Sequence, residues 1–115
     1  MSREYGLFLS DIRHACEKVI RYTRGLDREA FRQDEKTFDA VMRDLEIIGE
    51  AAKHIPDSIR QKYPDVEWRR ICGFRDVVVH EYFGVDMEIV WDIIVNKVPL
   101  LMRQIEGILA SEENK

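Results

Sequence analysis

Helical spacing of the apolar residues is the feature that most constrains the fold of this chain. In three long segments, apolar side chains recur every three or four positions, which is the period of an amphipathic helix. These stripes are Phe8, Ile12, Ala15, Cys16 and Val19; Phe38, Val41, Met42, Leu45, Ile48 and Ala52; and Val90, Ile94, Val98, Leu101, Ile105 and Leu109. Because the long segments share this period, the sequence predicts an all-α fold.

Capping residues predict where the first helices begin and end. The first helix is expected to end near Thr23, ahead of Gly25. Asp27 should cap a short helix that runs through Phe31, and Asp34 should be the N-cap of the long helix with the second stripe. A short acidic side chain suits both positions, because it accepts a hydrogen bond from a free backbone N–H in the first turn.

Prolines limit the remaining helices. Pro56 should stop the second long helix, and at most a short helix follows before a new element begins near Trp68. Asp86 is placed to cap the final helix, inside which Pro99 should cause a bend because proline lacks a backbone donor. The pattern predicts a single domain over residues 1–115, an up-and-down helical bundle of four main helices plus short helices.

Charge and composition narrow the function. Hydrophobic residues make up 45% of the chain and charged residues 35%, so it should fold as a globular protein. The formal net charge is −4, and contact with RNA would therefore require a local basic patch, while DNA is not an expected partner. Four arginines could form such a patch, although interspersed acids favour a solvated surface. They are Arg21, Arg24, Arg28 and Arg32.

Apolar runs and cysteines indicate the compartment. No uninterrupted apolar run approaches the roughly 20 residues of a membrane helix, so no membrane association is expected. Cys16 and Cys72 are the only cysteines and lie far apart in apolar surroundings, which predicts buried thiols in a reducing compartment. We expect a soluble, cytoplasmic protein.

The segment "FRDVVVHEYFG", residues 74–84, combines strand-forming valines with a cluster of polar residues. Local propensity favours a strand, but a strand here would have no partner, and even an isolated two-stranded hairpin is marginal in water. Residues 68–83 are therefore predicted to form a helix. That helix would be apolar nearly all round, so it should lie at the centre of the bundle or under a second subunit, which predicts a homodimer.

Helical geometry also sorts the polar residues of this segment. Asp76 and His80 are four apart on one face, so the carboxylate could orient the imidazole and fix its tautomer. Arg75 and Tyr82 are seven apart and share a neighbouring face, whereas Arg75 and His80 differ by about 140°. On spacing alone, a structural histidine paired with Asp76 and a solvent-facing arginine is the simpler interpretation.

A catalytic interpretation is also consistent with these residue types. Cleaving RNA without a metal requires a base for the ribose 2′-hydroxyl, an acid for the leaving oxygen, and a fixed positive charge near the phosphate. Histidine suits the first two roles because its pKa lies near neutrality, and such catalysis is typically worth roughly 10²- to 10⁴-fold. Arginine suits the third, because its planar fork binds two phosphate oxygens at once.

The order of several motifs resembles one known family. "RDLEIIGEAAKHIP", "KYPDVEWRRICGFR", "RDVVVHEYFG" and "VDMEIVWDIIVNKVPLLMRQI" together are similar to the HepT-like family, toxins within the HEPN group of all-helical ribonucleases. The resemblance covers nearly the whole chain and implies an HEPN-like, homodimeric fold. It further implies that Arg75 and His80, which match the family's R-x4-H motif, are the catalytic pair. The residue after the arginine is usually Asn in the family and is Asp76 here.

The same resemblance implies how the site works and is controlled. Two R-x4-H segments would face each other in a cleft shared by the dimer, cutting RNA without a metal or cofactor and leaving a cyclic phosphate. The implied partner is an MntA-like minimal nucleotidyltransferase antitoxin, which uses ATP and Mg²⁺ to transfer AMP onto Tyr82. An adenylylated phenol would place a phosphodiester beside Arg75 and occupy the cation that RNA needs.

Two further predictions concern the long helix that follows Asp34. Arg43, Glu46 and Glu50 line one polar face that could border the cleft. Glu50 and His54 are four apart and could form half of a metal site, but no third ligand is apparent, which favours an exposed ion pair.

A non-catalytic alternative stays open from the sequence. The chain could be a helical dimer whose role is to bind the nucleotidyltransferase. The net negative charge is the feature that favours this alternative.

Overall fold

The structure is a computed structural model that describes residues 3–82 and 87–113, with the side chains of residues 3 and 79–82 left out. Over the described residues it contains eight α-helices, one π-helical segment and no strand, which confirms the predicted all-α fold. The helices are α1 (Arg3–Thr23), α2 (Arg28–Gln33), α3 (Glu35–Lys53), α4 (Asp57–Lys62), α5 (Trp68–Cys72), α6 (Phe74–Tyr82), α7 (Met87–Asp92) and α8 (Val98–Glu113), with the π segment at Ile93–Lys97.

The core lies where α1 packs against α3 and α8, and α3 also contacts α5 and α6. Each of the three predicted apolar stripes contributes fully buried side chains to this core. They include Ile12, Cys16 and Val19 from α1; Val41, Leu45 and Ile48 from α3; and Val98 and Ile105 from α8. Among the described helices, none is long and apolar enough to span a membrane.

The two predicted caps at Asp27 and Asp34 are confirmed. Asp27 Oδ1 accepts a hydrogen bond from the Ala30 amide at 2.8 Å, and Asp34 Oδ1 accepts one from the Thr37 amide at 3.1 Å. The helix α1 ends where predicted, and Gly25 follows it with a φ of 80°, a conformation that only glycine adopts readily. The short helix α2 ends at Gln33, later than predicted.

The helix predicted over residues 68–83 is interrupted. Helical rather than strand structure at residues 77–79 is confirmed, but the chain forms two helices, α5 and α6, that meet at Gly73. The Gly73 ψ angle is −3°, far from the helical value of about −42°. This ψ angle breaks the regular helix at Gly73, so α5 and α6 are separate helices. Residue 83 lies outside the described residues.

The predicted final helix is also divided. A π turn precedes Pro99, and the Val98 amide donates to the Ile93 carbonyl, five residues back. Proline cannot donate to the carbonyl four residues earlier, and its ring clashes there in a regular helix. The wider turn accommodates both effects, so the predicted distortion takes the form of a π segment. The predicted cap Asp86 lies outside the described residues.

A buried carboxylate links the ends of three helices. Glu112 in α8 is 6% exposed and accepts hydrogen bonds from the Tyr5 hydroxyl at 3.1 Å, Lys62 Nζ at 2.8 Å and the Tyr63 hydroxyl at 2.6 Å. The hydrogen bonds from Lys62 and then Tyr63 lower the pKa of Glu112 from 4.5 to about 2. The ionised form of Glu112 therefore stabilises this end of the bundle.

Replacing Glu112 is expected to flatten the acid dependence of stability. Because the folded pKa lies below the unfolded value, the Glu112 contribution is complete above about pH 4.5 and is lost as the pH falls towards 2. Glu112→Gln should lower the urea midpoint of unfolding at pH 7 and should reduce its fall between pH 5 and pH 2.5. The exposed neighbour Glu113 supplies the control for the loss of one negative charge, and the midpoint should fall more steeply between pH 5 and pH 2.5 in Glu113→Gln than in Glu112→Gln. If the urea midpoint falls equally with pH in the two variants, ionised Glu112 does not stabilise the fold in this way.

Candidate active site

Arg75 lies in the first turn of α6, where this helix packs on α3. Phe74 and Val78 are 4% exposed and fix the apolar face of α6, while Arg75 stays on the surface. Arg75 Nη1 donates to Glu50 Oε1 at 2.6 Å, and the two side chains are 49% and 44% exposed. A guanidinium has five N–H donors. The Glu50 contact uses one of them, so Arg75 can still bind a phosphate from solvent.

Gly49 fixes the backbone beneath Arg75. A Cβ atom at position 49 would lie 3.2 Å from the Arg75 amide nitrogen and 3.3 Å from the Cys72 carbonyl oxygen. The absence of a side chain therefore lets α3 approach the junction of α5 and α6 closely. Sequence reasoning missed this residue, although a glycine inside a helical stripe, where it costs about 1 kcal/mol, was a signal that could have found it.

Glu50 also belongs to a cleft between α1 and α3. The cleft has a volume of about 270 Å³ and includes Arg43 and Glu46, the other two residues predicted to share its border. Its lining consists of Phe8 and Asp11 from α1 and Arg43, Glu46, Ile47, Glu50, Ala51 and His54 from α3 or its C-cap. The structure thus brings the three predicted residues together in one cleft, and Glu50 connects it to Arg75.

The predicted ion pair between Glu50 and His54 is wrong. Glu50 pairs instead with Arg75 and, at 3.9 Å, with Lys53. His54 is the C-cap of α3, and its ring stacks on Phe8 with centroids 4.5 Å apart and planes at 12°. Glu50 has two cations within reach, Arg75 and Lys53, and His54 packs against the ring of Phe8. These contacts explain why Glu50 and His54 do not pair.

The other predicted site residues lie along α6. Asp76 is exposed, and its amide donates to the Gly73 carbonyl at 3.0 Å. The backbone of α6 extends through His80 and Tyr82, but the side chains of both residues lie outside the described part of the chain. The bond between Asp76 and His80 therefore stays a prediction, while the helix supplies the four-residue spacing on which it depends.

The arginines that could have formed a basic patch are mostly paired with acids. Arg21 contacts Glu17 at 3.6 Å, and Arg28 contacts Glu88 at 3.0 Å. Arg32 pairs with an acid of its own helix in the same way. These pairs agree with a solvated surface. Within the described ranges, no group of three or more metal-ligating side chains is arranged around a common point.

The two thiols differ in their surroundings. Cys16 is fully buried, and burial together with the nearby charge of Asp44 raises the pKa of its thiol to about 12. Cys72 is only half-buried, in contrast to its prediction, because it ends α5 next to the turn at Gly73, and its sulfur lies 3.6 Å from Arg60 Nη2. Both thiols are free.

A second cleft, which the sequence did not reveal, separates α5 and α6 from α7, the π segment and α8. It has a volume of about 350 Å³ and is mainly apolar, with Phe74 and Val77 on one side and Ile93 and Leu101 on the other. Ile89 and Leu100 at this cleft are 44% and 41% exposed. Large apolar side chains in such positions are frequent where another protein surface binds.

Comparison with known proteins shows the family of the chain. The sequence profile of the family described as "Ribonuclease HepT-like" matches residues 12–108. The chain is 42% identical over 113 residues to "Putative RNase MJ0127" of Methanocaldococcus jannaschii, covering 98% of this chain and 93% of that protein. It is 40% identical over 108 residues to "Probable ribonuclease HepT" of Thermococcus cleftensis, covering 94% of this chain and 98% of that protein. No solved structure matches the chain. The chain belongs to the HepT-like ribonuclease family.

Proposed function

We propose that this protein is a metal-independent endoribonuclease in which Arg75 and His80 form the catalytic pair. The observation that carries this proposal is the exposed Arg75 guanidinium, held by Glu50 at the edge of a cleft and placed on the same helix as His80. Membership in a ribonuclease family supports the choice of RNA as substrate.

The residue types suffice for a complete transesterification. Neutral His80 removes the proton from a ribose 2′-hydroxyl, and the 2′-oxygen attacks the adjacent phosphorus. The bond from phosphorus to the 5′-oxygen then breaks as protonated His80 returns the proton to that oxygen, which leaves a 2′,3′-cyclic phosphate and a free 5′-hydroxyl. Arg75 stabilises the additional negative charge on the phosphate oxygens, and Asp76 orients His80.

A homodimer is part of the proposal, because two copies would bring two such helices to a shared cleft. The apolar cleft beside α6 supports it, since Ile89 and Leu100 leave large apolar side chains exposed there. Burial of such surface is the main favourable term in subunit association. Size-exclusion chromatography with light scattering measures the mass, and a monomer at micromolar concentration would contradict the dimer.

The proposed biological role is that of a toxin controlled by an MntA-like minimal nucleotidyltransferase. With ATP and Mg²⁺, this partner would transfer AMP to the Tyr82 hydroxyl, forming a phosphodiester with release of pyrophosphate. Tyr82 lies two helical turns from Arg75 on α6, so the new phosphate could reach the guanidinium.

Intact mass after co-expression with such a nucleotidyltransferase tests this control. We expect the wild-type chain to gain at least one AMP group and Tyr82→Phe to gain none at this position. Tyr22→Phe is the matched control, because Tyr22 is an exposed tyrosine on α1, outside both clefts. A peptide map with no AMP on Tyr82 would refute the proposed modification.

RNA cleavage in EDTA tests the enzymatic proposal. Purified protein should produce fragments with 2′,3′-cyclic phosphate ends, and His80→Ala should cleave roughly 10²- to 10⁴-fold more slowly because it lacks the acid–base group. His14→Ala is the control, since His14 is exposed on α1 and outside the clefts. If the wild type is no faster than His80→Ala, the protein is not a nuclease of this type.

The non-catalytic dimer is the second candidate, and the net charge of −4 favours it because acidic proteins bind RNA poorly. In that case, His80→Ala would inhibit growth and bind the nucleotidyltransferase as well as the wild type does.

A further inference from the structure

The cleft between α1 and α3 has an aromatic surface that is open to ligands. The rings of Phe8 and His54 are nearly parallel at 4.5 Å, Phe8 is half-buried, and His54 is exposed. Phe8 therefore supports one face of the imidazole. Unpaired RNA bases commonly stack on aromatic rings, including histidine.

Beside this surface lie polar groups with unused hydrogen-bonding capacity. Asp11 and Glu46 line the cleft and are exposed, and neither makes a hydrogen bond or ion pair with another described residue. Glu50 differs, because Arg75 already occupies one of its oxygens. Glu46 is thus the free acceptor on the same helix, one turn from Glu50.

The charges of the cleft select the kind of group that fits. Glu50 is already paired with Arg75, and the two remaining carboxylates, Asp11 and Glu46, outnumber the single arginine in the lining, Arg43, so a phosphate would be repelled inside. A flat, uncharged group that donates hydrogen bonds is favoured instead. The volume of about 270 Å³ lies just below the roughly 300–1,000 Å³ typical of pockets for drug-sized ligands, and is sufficient for one nucleobase.

Among the four RNA bases, guanine complements a carboxylate best. Its N1–H and N2 amino group lie side by side on the Watson–Crick edge and can donate to both oxygens of Glu46. Adenine and cytosine place a ring acceptor next to their amino group, and uracil flanks its single N–H with carbonyl oxygens. Each of these acceptors would repel the carboxylate.

We propose that this cleft binds a guanine base next to the phosphate that Arg75 contacts, with the base stacked on His54 and its edge bonded to Glu46. The inference rests on the proposed function, because it is Arg75 that connects the cleft to the cleaved bond. Glu50 supplies the link, since it lines the cleft and contacts Arg75 directly.

Binding of short RNAs that cannot be cleaved tests the proposal. Fluorescein-labelled oligouridines with 2′-O-methyl riboses would carry one guanosine, inosine or adenosine. Inosine lacks only the N2 amino group, so it isolates one of the two donors. Fluorescence anisotropy should show wild-type protein binding the guanosine oligomer roughly ten- to hundred-fold more tightly than the adenosine oligomer, with inosine between them.

Glu46→Gln should bring the three affinities within about threefold of one another. Asp39→Asn removes the same charge from an exposed position on α3 outside the cleft. It should strengthen binding of all three oligomers alike and preserve their ratios. Equal wild-type affinities, or an undiminished guanosine preference in Glu46→Gln, would overturn the proposal.

This test also separates the base site from the nuclease activity. A guanosine preference without cleavage in EDTA would refute the nuclease and leave the base site standing. Cleavage by the wild type together with equal affinities would refute the base site alone.

Discussion

Arg75→Ala is expected to slow RNA cleavage in EDTA by roughly 10²- to 10³-fold, the loss typical when one preorganised donor to a developing negative charge is removed. Arg75→Lys should recover only part of the rate, because an ammonium is a point charge and lacks the planar pair of donors. The comparison is made with single-turnover rates on one RNA, so that weaker binding and slower chemistry are measured separately.

Folding should be nearly unaffected by this substitution. Arg75 and Glu50 are each about half exposed, and a surface ion pair of this kind contributes about 0–1 kcal/mol. Thermal melts of Arg75→Ala should therefore stay close to the wild type. The control for general loss of positive charge is Arg103→Ala, an exposed arginine of α8 outside both clefts. Equal cleavage rates for Arg75→Ala and Arg103→Ala would exclude a role of Arg75 in catalysis.

Features that depend on nearby residues could be predicted from the sequence. Asp27 and Asp34 each bond to an amide three residues ahead, so the cap and its helix are visible in one short segment. The buried stripes follow from helical period alone, because one face of each long helix must leave water. For the same reason, the pattern of this short segment was enough to predict that Arg75, His80 and Tyr82 lie on one helix.

Features that depend on packing between distant segments could not be predicted in the same way. The partner of Arg75 lies 25 residues away, and nothing in the α6 sequence selects Glu50. His54 was expected to pair with Glu50 within its own helix, but α1 brings Phe8 against its ring. The break at Gly73 lies where α5 and α6 both pack on α3, a contact between segments far apart in the sequence.

Gly49 shows most clearly how such packing connects the fold to the site. Gly49→Ala should lower the free energy of unfolding, although alanine is the better helix former by about 1 kcal/mol. The added methyl group would lie 3.2–3.4 Å from three backbone atoms, which cannot rotate away as a side chain could. Overpacking of this kind costs about 1–3 kcal/mol, so we expect a net loss of up to about 2 kcal/mol.

Gly107 in α8 provides the matched control, because a Cβ atom there would have no neighbour within 4 Å. Gly107→Ala should raise the free energy of unfolding by about 0.5–1 kcal/mol, so the two substitutions should have opposite signs in urea titrations. Gly49→Ala must also shift the Arg75 backbone by a few tenths of an ångström, which should slow cleavage several-fold, while Gly107→Ala should cleave normally. A stability gain in both variants would mean that α3 does not closely contact the backbone at Arg75.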